Sequence, residues 1–186
     1  ITTPMKPVSP YGCAKLFGYN ITSTFRNSYN LHICNGILFN HESPRRASNF
    51  VTNKVIKGAV RIKLGLQDKL ELGNMGSHRD WGHSKDYVRA MHMIINQDKP
   101  KDYIVSTGKT KSIKEMCSYV FSKLGLNYED YVVQNPRYLR PQELKYLKGD
   151  SSPIRDELGW KPEYSFEALM DDMIESSLKH YSEKNK

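Results

Sequence analysis

Apolar positions along the chain fall into two spacings, one helical and one suited to short strands. From about Ser9 to about Asn30, Leu16, Phe17, Ile21 and Phe25 give a helix an apolar side, and Gly12, Ala14 and Gly18 leave room for close packing. Ser9 suits the N-cap, and Pro10 suits the first helical position, where a missing N–H costs nothing. Leu31 to Phe39, with Ile33, Ile37, Leu38 and Phe39, is a short apolar run that predicts a strand buried on both faces, as in a parallel sheet. The polar residues Asn40 to Arg46 read as a loop leaving the carboxyl end of that strand, where ligands sit in open α/β sheets.

The alternation continues. Val51, Val55, Ile56, Ala59 and Val60 place a helix from near Asn49 to near Leu64. Leu70 to Gly73 reads as a short strand, and Asn74 to Ser84 as a loop carrying Arg79, Asp80 and Trp81. A helix follows from Lys85 to about Asn96, then a strand from Asp102 to Ser106. Ser112 and Glu115 form a capping box that opens a helix to about Leu124. Tyr131 to Val133 is strand-like, and Asn135 to Gly149 is irregular, with Arg137, Arg140 and Glu143. Ser152-Pro153 opens a short helix ending at Gly159, and a last helix starts at Ser165 with Leu169, Met170, Met173, Ile174, Leu178 and Tyr181 on one side. Strands alternating with helices predict an α/β domain with parallel strands.

Length and composition narrow the class. The 186 residues suffice for a domain with a real core, and 38% hydrophobic against 26% charged residues suits a globular, soluble chain. No run of about 18 apolar residues predicts a membrane span. The opening Ile-Thr-Thr-Pro-Met-Lys-Pro has no apolar core of a signal peptide, lacks an initiator Met and reads like a loop inside a domain. Cys13, Cys34 and Cys117 are odd in number and lack CxxC spacing, which points to reduced thiols in a cytoplasmic compartment and to no zinc site. The net charge of +8 calls for an anionic partner, and nucleic acid, an anionic membrane and a phosphorylated small molecule all qualify. The basic residues are scattered over many elements, with no obvious reading helix for nucleic acid and no membrane-binding segment.

The chemistry centres on Tyr11 and Lys15. Four residues apart, they project from one helix face. An ammonium beside a phenol favours the phenolate, and the partial positive charge of a helix N-terminus acts in the same direction. Such a tyrosine suits proton transfer with a substrate hydroxyl. The same short spacing also fits an ordinary solvated helix start. No glycine-rich βα turn occurs in the chain, because Gly12 and Gly18 lie inside the predicted helix. A Tyr–Lys pair without that turn reads as the C-terminal part of a longer fold.

Taken together, the segments resemble the extended short-chain dehydrogenase/reductase family, and within it the GDP-mannose 4,6-dehydratase branch. The residues that carry the likeness run almost end to end. They are Ser9-Pro10-Tyr11-Gly12 with Ala14-Lys15, the run Asn35 to Arg46, Asn49 to Thr52, Leu72 to Asn74, Arg79 to His83 with Lys85-Asp86-Tyr87, Arg140-Pro141 with Glu143, and Trp160-Lys161-Pro162. The run NGILFNHESPRR together with RDWGH is the specific part.

The resemblance implies the C-terminal part of an extended Rossmann-type fold with its small substrate-binding domain. Residues 1–40 would end the NADP-binding Rossmann domain, and residues 41–186 would be mainly substrate-binding, with returns to the Rossmann domain. It implies conversion of GDP-mannose to GDP-4-keto-6-deoxymannose by internal hydride transfer through bound NADP. Tyr11 and Lys15 would be catalytic and would touch the cofactor with His41 and Arg46. Asn40, Lys54, Arg79, Arg140 and Glu143 would hold the GDP-sugar, and Arg45 would sit in a loop that helps join subunits into a homo-oligomer, a dimer or tetramer. The family's upstream Thr and Glu have no counterpart in these residues, so the chain alone is expected to be nearly inactive, to bind NADP poorly, and to self-associate through an exposed sheet edge and an exposed long-helix face. Other nucleotide-sugar epimerases, reductases or dehydratases, and a non-catalytic sugar-nucleotide binder, remain open on the residues alone.

Overall fold

The computed structural model describes residues 1–139 and 144–184. In chain order the elements are α1 (Pro10–Tyr29), β1 (Gly36–Leu38), β2 (Asn40–Glu42), α2 (Val51–Lys63), β3 (Leu70–Leu72), β4 (His78–Arg79), β5 (Trp81–His83), α3 (Ser84–Ile95), β6 (Tyr103–Val105), β7 (Lys111–Ser112), α4 (Ile113–Lys123), β8 (Val132–Gln134), β9 (Tyr146–Leu147), α5 (Ser152–Leu158) and α6 (Phe166–Lys184). Single 3-10 turns lie at Tyr128–Asp130 and Pro136–Tyr138.

Strand pairing is mostly parallel. β1 pairs with β6, β2 with β5, and β3 with β8, while β4 lies between β9, in parallel, and β7, antiparallel. β1 and β2 are two halves of one extended run interrupted at Phe39, whose N–H still donates to the Val105 carbonyl at 3.0 Å. The run therefore starts against β6 and finishes against β5, in the register Asn40↔Trp81, His41↔Gly82 and Glu42↔His83.

Two apolar clusters hold the chain. The larger joins α2, α4 and α6 over β3, with Val55, Ile56, Met116, Phe121, Leu169 and Met170 fully buried. Every residue here lies on the face that the helical spacing marks. Trp81 belongs to this core and packs toward Phe166. The smaller cluster joins α3, β6 and α5 through Tyr87, Val105, Ile154 and Trp160. Its polar lock is Asp86, 1% exposed, which accepts from the Glu163 and Tyr164 amides at 3.0 and 3.1 Å, while its carbonyl accepts from Trp160 Nε1 at 2.9 Å. A buried carboxylate with several N–H partners is satisfied, where an unpaired one would destabilise the fold.

Most helix ends follow their local signals. The Ser9 hydroxyl accepts from the Gly12 N–H at 3.1 Å, the Ser112–Glu115 capping box forms in full, and Gly159 closes α5 at φ 65°.

Two expectations need correction. The strand expected over 31–39 begins only at Gly36, and its residues are exposed or half-buried. β6 is its only partner among the described residues, so no second neighbour covers it. The expected loop at 40–46 opens with β2, and the expected loop at 74–84 contains β4 and β5, all of them paired through residues far away in sequence. The apolar side of α1 faces outward, the exposed long-helix face on which self-association is expected. Phe17, Ile21 and Phe25 are exposed, and α1 has no fully buried residue. Its inward side is Leu16, Tyr19, Ser23 and Arg26, tied down by polar bonds.

Candidate functional site

Tyr11 and Lys15 lie in the first turns of α1, both exposed, with Lys15 Nζ 5.6 Å from the centre of the Tyr11 ring. The helical spacing brings the ammonium beside the phenol, and the Ser9 cap and Pro10 fix the start of the helix that presents them. The other end of α1 is anchored. Arg26 makes two bonds to Asp102, at 2.6 and 3.0 Å, and Asn35 adds its N–H to the same carboxylate at 2.7 Å. Burial works to raise the Asp102 carboxyl, but Arg26 and Asn35 outweigh it and hold the group below its ordinary 3.8.

β2 and the turn after it carry the next residues. Asn40 is half-buried. His41 is half-buried, its Nδ1 2.9 Å from the Phe39 carbonyl and its ring stacked on Tyr87 at 5.0 Å. A carbonyl only accepts, so the neutral ring carries its proton on Nδ1 and keeps an Nε2 lone pair for a ligand donor. Tyr87 is fully buried, and among the described residues its hydroxyl has no hydrogen-bond partner. Burial, with Asp80 and Asp86 nearby, pushes that phenol up. A Cβ on Gly82 would lie 2.3 Å from the Tyr87 ring, so glycine is required for His41 and Tyr87 to meet.

Arg46 follows in the turn. Its Nε is 3.1 Å from Glu42, and its guanidinium lies 3.5 Å from the centre of the Phe50 ring. Glu42 is buried, which raises its carboxyl, while Thr52 and Arg46 pull it back down.

A second group faces the loop after β3. Lys54 Nζ lies 3.6 Å from the centre of the Tyr138 ring, and burial lowers the lysine against the opposing pull of Glu71. Gly73 permits this approach, because a Cβ there would be 2.5 Å from the Tyr138 carbonyl oxygen. Lys54 also borders a cleft of about 290 Å³ shared with Lys57 and Arg61, three cations from one helix. Arg79 is half-buried in β4 and donates to the His78 carbonyl at 2.8 Å. Its neighbour Asp80 is fully buried and accepts from Thr107 at 2.8 and 2.6 Å and from Gly108 N at 2.9 Å, so it ties β4–β5 to the loop after β6. Arg140 and Glu143 lie outside the described residues.

The structure thus sorts the described sequence-predicted residues into four places: Tyr11 and Lys15 on α1, Asn40, His41 and Arg46 on and after β2, Lys54 beside the segment at 135–139, and Arg79 on β4. A phenol, an ammonium, an imidazole lone pair and a guanidinium fit ribose hydroxyls and phosphates, and the Lys54 cleft fits a diphosphate. Sequence reading missed Glu42, Phe50, Tyr87 and Tyr138. Only the four-residue steps from Glu42 to Arg46 and from Arg46 to Phe50 were there to be read. The larger cleft, about 390 Å³ between α4 and the start of α6, contains none of the expected residues. Cys117 is buried, which pushes its thiol up to about 12 and rules it out as a thiolate nucleophile. Among the described residues no cluster of three metal-ligating side chains forms.

Comparison with known proteins places this geometry. GDP-mannose 4,6 dehydratase 1 of Arabidopsis thaliana is 48% identical over 177 residues, which cover 95% of this chain and 49% of the relative. The human GDP-mannose 4,6 dehydratase is 39% identical over 194 residues, covering 95% and 52%. The chain spans about half the length of the curated relatives it matches. Among solved structures, RMD from Pseudomonas aeruginosa complexed with NADPH superposes with a TM-score of 0.86 at 22% identity, covering 94% of this chain and 58% of that one. The dTDP-glucose 4,6-dehydratase of Bacillus anthracis in complex with NAD gives 0.85 at 21%, covering 97% and 56%. At that identity the likeness establishes the fold, an extended short-chain dehydrogenase/reductase architecture in part. The model of the GDP-mannose 4,6 dehydratase family matches residues 1–173, nearly all of α1 through α6, and to that family the chain belongs.

Proposed function

We propose that the chain carries the Tyr–Lys pair and the sugar-nucleotide site of a GDP-mannose 4,6-dehydratase, which converts GDP-mannose to GDP-4-keto-6-deoxymannose. The observation that supports this best is the placement of Tyr11 with Lys15, and of His41 with Arg46, within a chain 48% identical to a GDP-mannose dehydratase. NADP, when bound, would supply the hydride chemistry, accepting hydride from C4 of the sugar and giving it back to C6 once water has been lost from C5 and C6. Tyr11 serves as the base for the C4 hydroxyl proton through its phenolic oxygen, and Lys15 holds the adjoining ribose. His41 offers its Nε2 to a cofactor donor, and Arg46 its guanidinium to a phosphate.

Asn40, Lys54, Arg79, Arg140 and Glu143 hold the GDP-sugar in this reading. Lys54 is partly desolvated, which strengthens its pull on a diphosphate. Among the described residues no helix is long and apolar enough to cross a membrane. Three free thiols suit a cytoplasmic setting, and the exposed apolar stripe of α1 suits assembly with a second copy as a dimer or tetramer.

The test is a conversion assay with GDP-mannose and NADP+. It is run on the 186-residue chain alone and on a polypeptide in which the chain follows a glycine-rich dinucleotide-binding half. The expected result is negligible turnover by the chain alone and a 4-keto-6-deoxy product from the longer polypeptide. A mannose epimer or a fully reduced deoxysugar as the product would replace the dehydratase reading with its epimerase or reductase rivals.

A further inference from the structure

Arg46 has little freedom of its own. Its N–H donates to the Ser43 carbonyl at 3.0 Å, and its carbonyl accepts from the buried amide of Asn53. The buried Nε of its guanidinium lies 3.1 Å from Glu42 Oε2, an ion pair without hydrogen-bond geometry, and its flat face covers the Phe50 ring at 3.5 Å. Among the described residues neither Nη has a hydrogen-bond partner, and the side chain is 26% exposed, so the terminal edge is reachable.

Glu42 is 2% exposed. Burying a carboxylate is costly unless its charge is used, and glutamine would fill the same space without that cost. Among the described residues the charge faces one cation, Arg46, with the Thr52 hydroxyl beside it. An arginine held on its Nε edge and on one face has one edge left, and that edge makes two parallel bonds to a phosphate. We propose that Glu42 and Phe50 are positioning residues that hold Arg46 with its Nη edge outward, as a pre-set seat for a phosphate of the dinucleotide cofactor. This rests on the reading of Arg46 as a cofactor ligand. Holding the side chain before binding removes the entropy loss that a free arginine undergoes on capture.

The experiment is a titration of the longer polypeptide, in which the chain follows a glycine-rich dinucleotide-binding half, with inorganic pyrophosphate, read at the Arg46 Nε–H resonance by nitrogen-15 NMR, and repeated with NADP+. In the unaltered polypeptide that resonance exchanges slowly with water and moves with added pyrophosphate. Glu42→Gln and Phe50→Leu are each expected to speed the exchange and to weaken pyrophosphate about tenfold, the scale of lost pre-organisation. Phe50 is 43% exposed, so Phe50→Leu carries the test if Glu42→Gln does not fold. Unchanged exchange and affinity in a folded variant would overturn the positioning role and leave Arg46 as a ligand. A resonance in the unaltered polypeptide that moves with neither pyrophosphate nor NADP+ would remove Arg46 as a phosphate ligand, and the seat with it.

Discussion

Tyr11 is 73% exposed and touches little besides Lys15, so its chemistry and the stability of the fold separate cleanly. In a polypeptide where the chain follows a dinucleotide-binding half, Tyr11→Phe should leave the thermal midpoint unchanged and lower conversion of GDP-mannose by roughly 10²–10⁴-fold, the usual weight of a general base or acid. Gly82 predicts the opposite kind of effect. A Cβ there meets the Tyr87 ring, so Gly82→Ala displaces Tyr87 and the His41 ring stacked on it. Urea denaturation should show a loss of about 1–3 kcal/mol, the cost of overpacking a core. The Tyr–Lys pair was legible because its partners are four residues apart on a helix. The support beneath His41 was not, because Tyr87 comes from another element 46 positions later, and nothing local to either residue records the stack.

α1 depends on its polar anchor. With no fully buried residue, it is held by Leu16 and Tyr19 and above all by Arg26 and Asn35 on Asp102. Asp102→Asn should cost about 1.5–3 kcal/mol, the scale of a charge-assisted hydrogen bond, and should speed amide exchange in the last turns of α1. The pH dependence has a definite sign. The Asp102 carboxyl is held below 3.8 in the folded chain, so its contribution is fully present above that value and is lost as pH falls through the lower folded value. Acid unfolding of Asp102→Asn should lack that part of the decline. The helices were legible from capping residues and periodicity, and α1, α2, α4 and α5 begin and end close to where these signals put them. The strands β4, β5 and β7 were not, because two or three residues carry no period and the pairing that creates them is remote. That α1 keeps an exposed face was legible from the likeness to half of a longer fold, while periodicity alone identifies a face without saying what covers it.

For the whole molecule, the core around α2, α4 and α6 is complete in itself, while α1 and β1 present uncovered surface. The exposed stripe of Phe17, Ile21, Phe25 and Tyr29 should drive self-association of the 186-residue chain. Sedimentation should show it, and Phe17→Glu with Phe25→Glu should reduce it to monomer with little loss of stability. The site divides the same way. One half of its reading is local, in the run from Asn40 to Arg46, and the other half depends on how α1 and the Lys54 cleft meet a sugar nucleotide. GDP-mannose carrying deuterium at C4 puts that account to its most direct test, in a polypeptide where the chain follows a dinucleotide-binding half. Internal hydride transfer predicts a 4-keto-6-deoxy product with the deuterium at C6, and none from Tyr11→Phe. Deuterium retained at C4, or released to water, would contradict it.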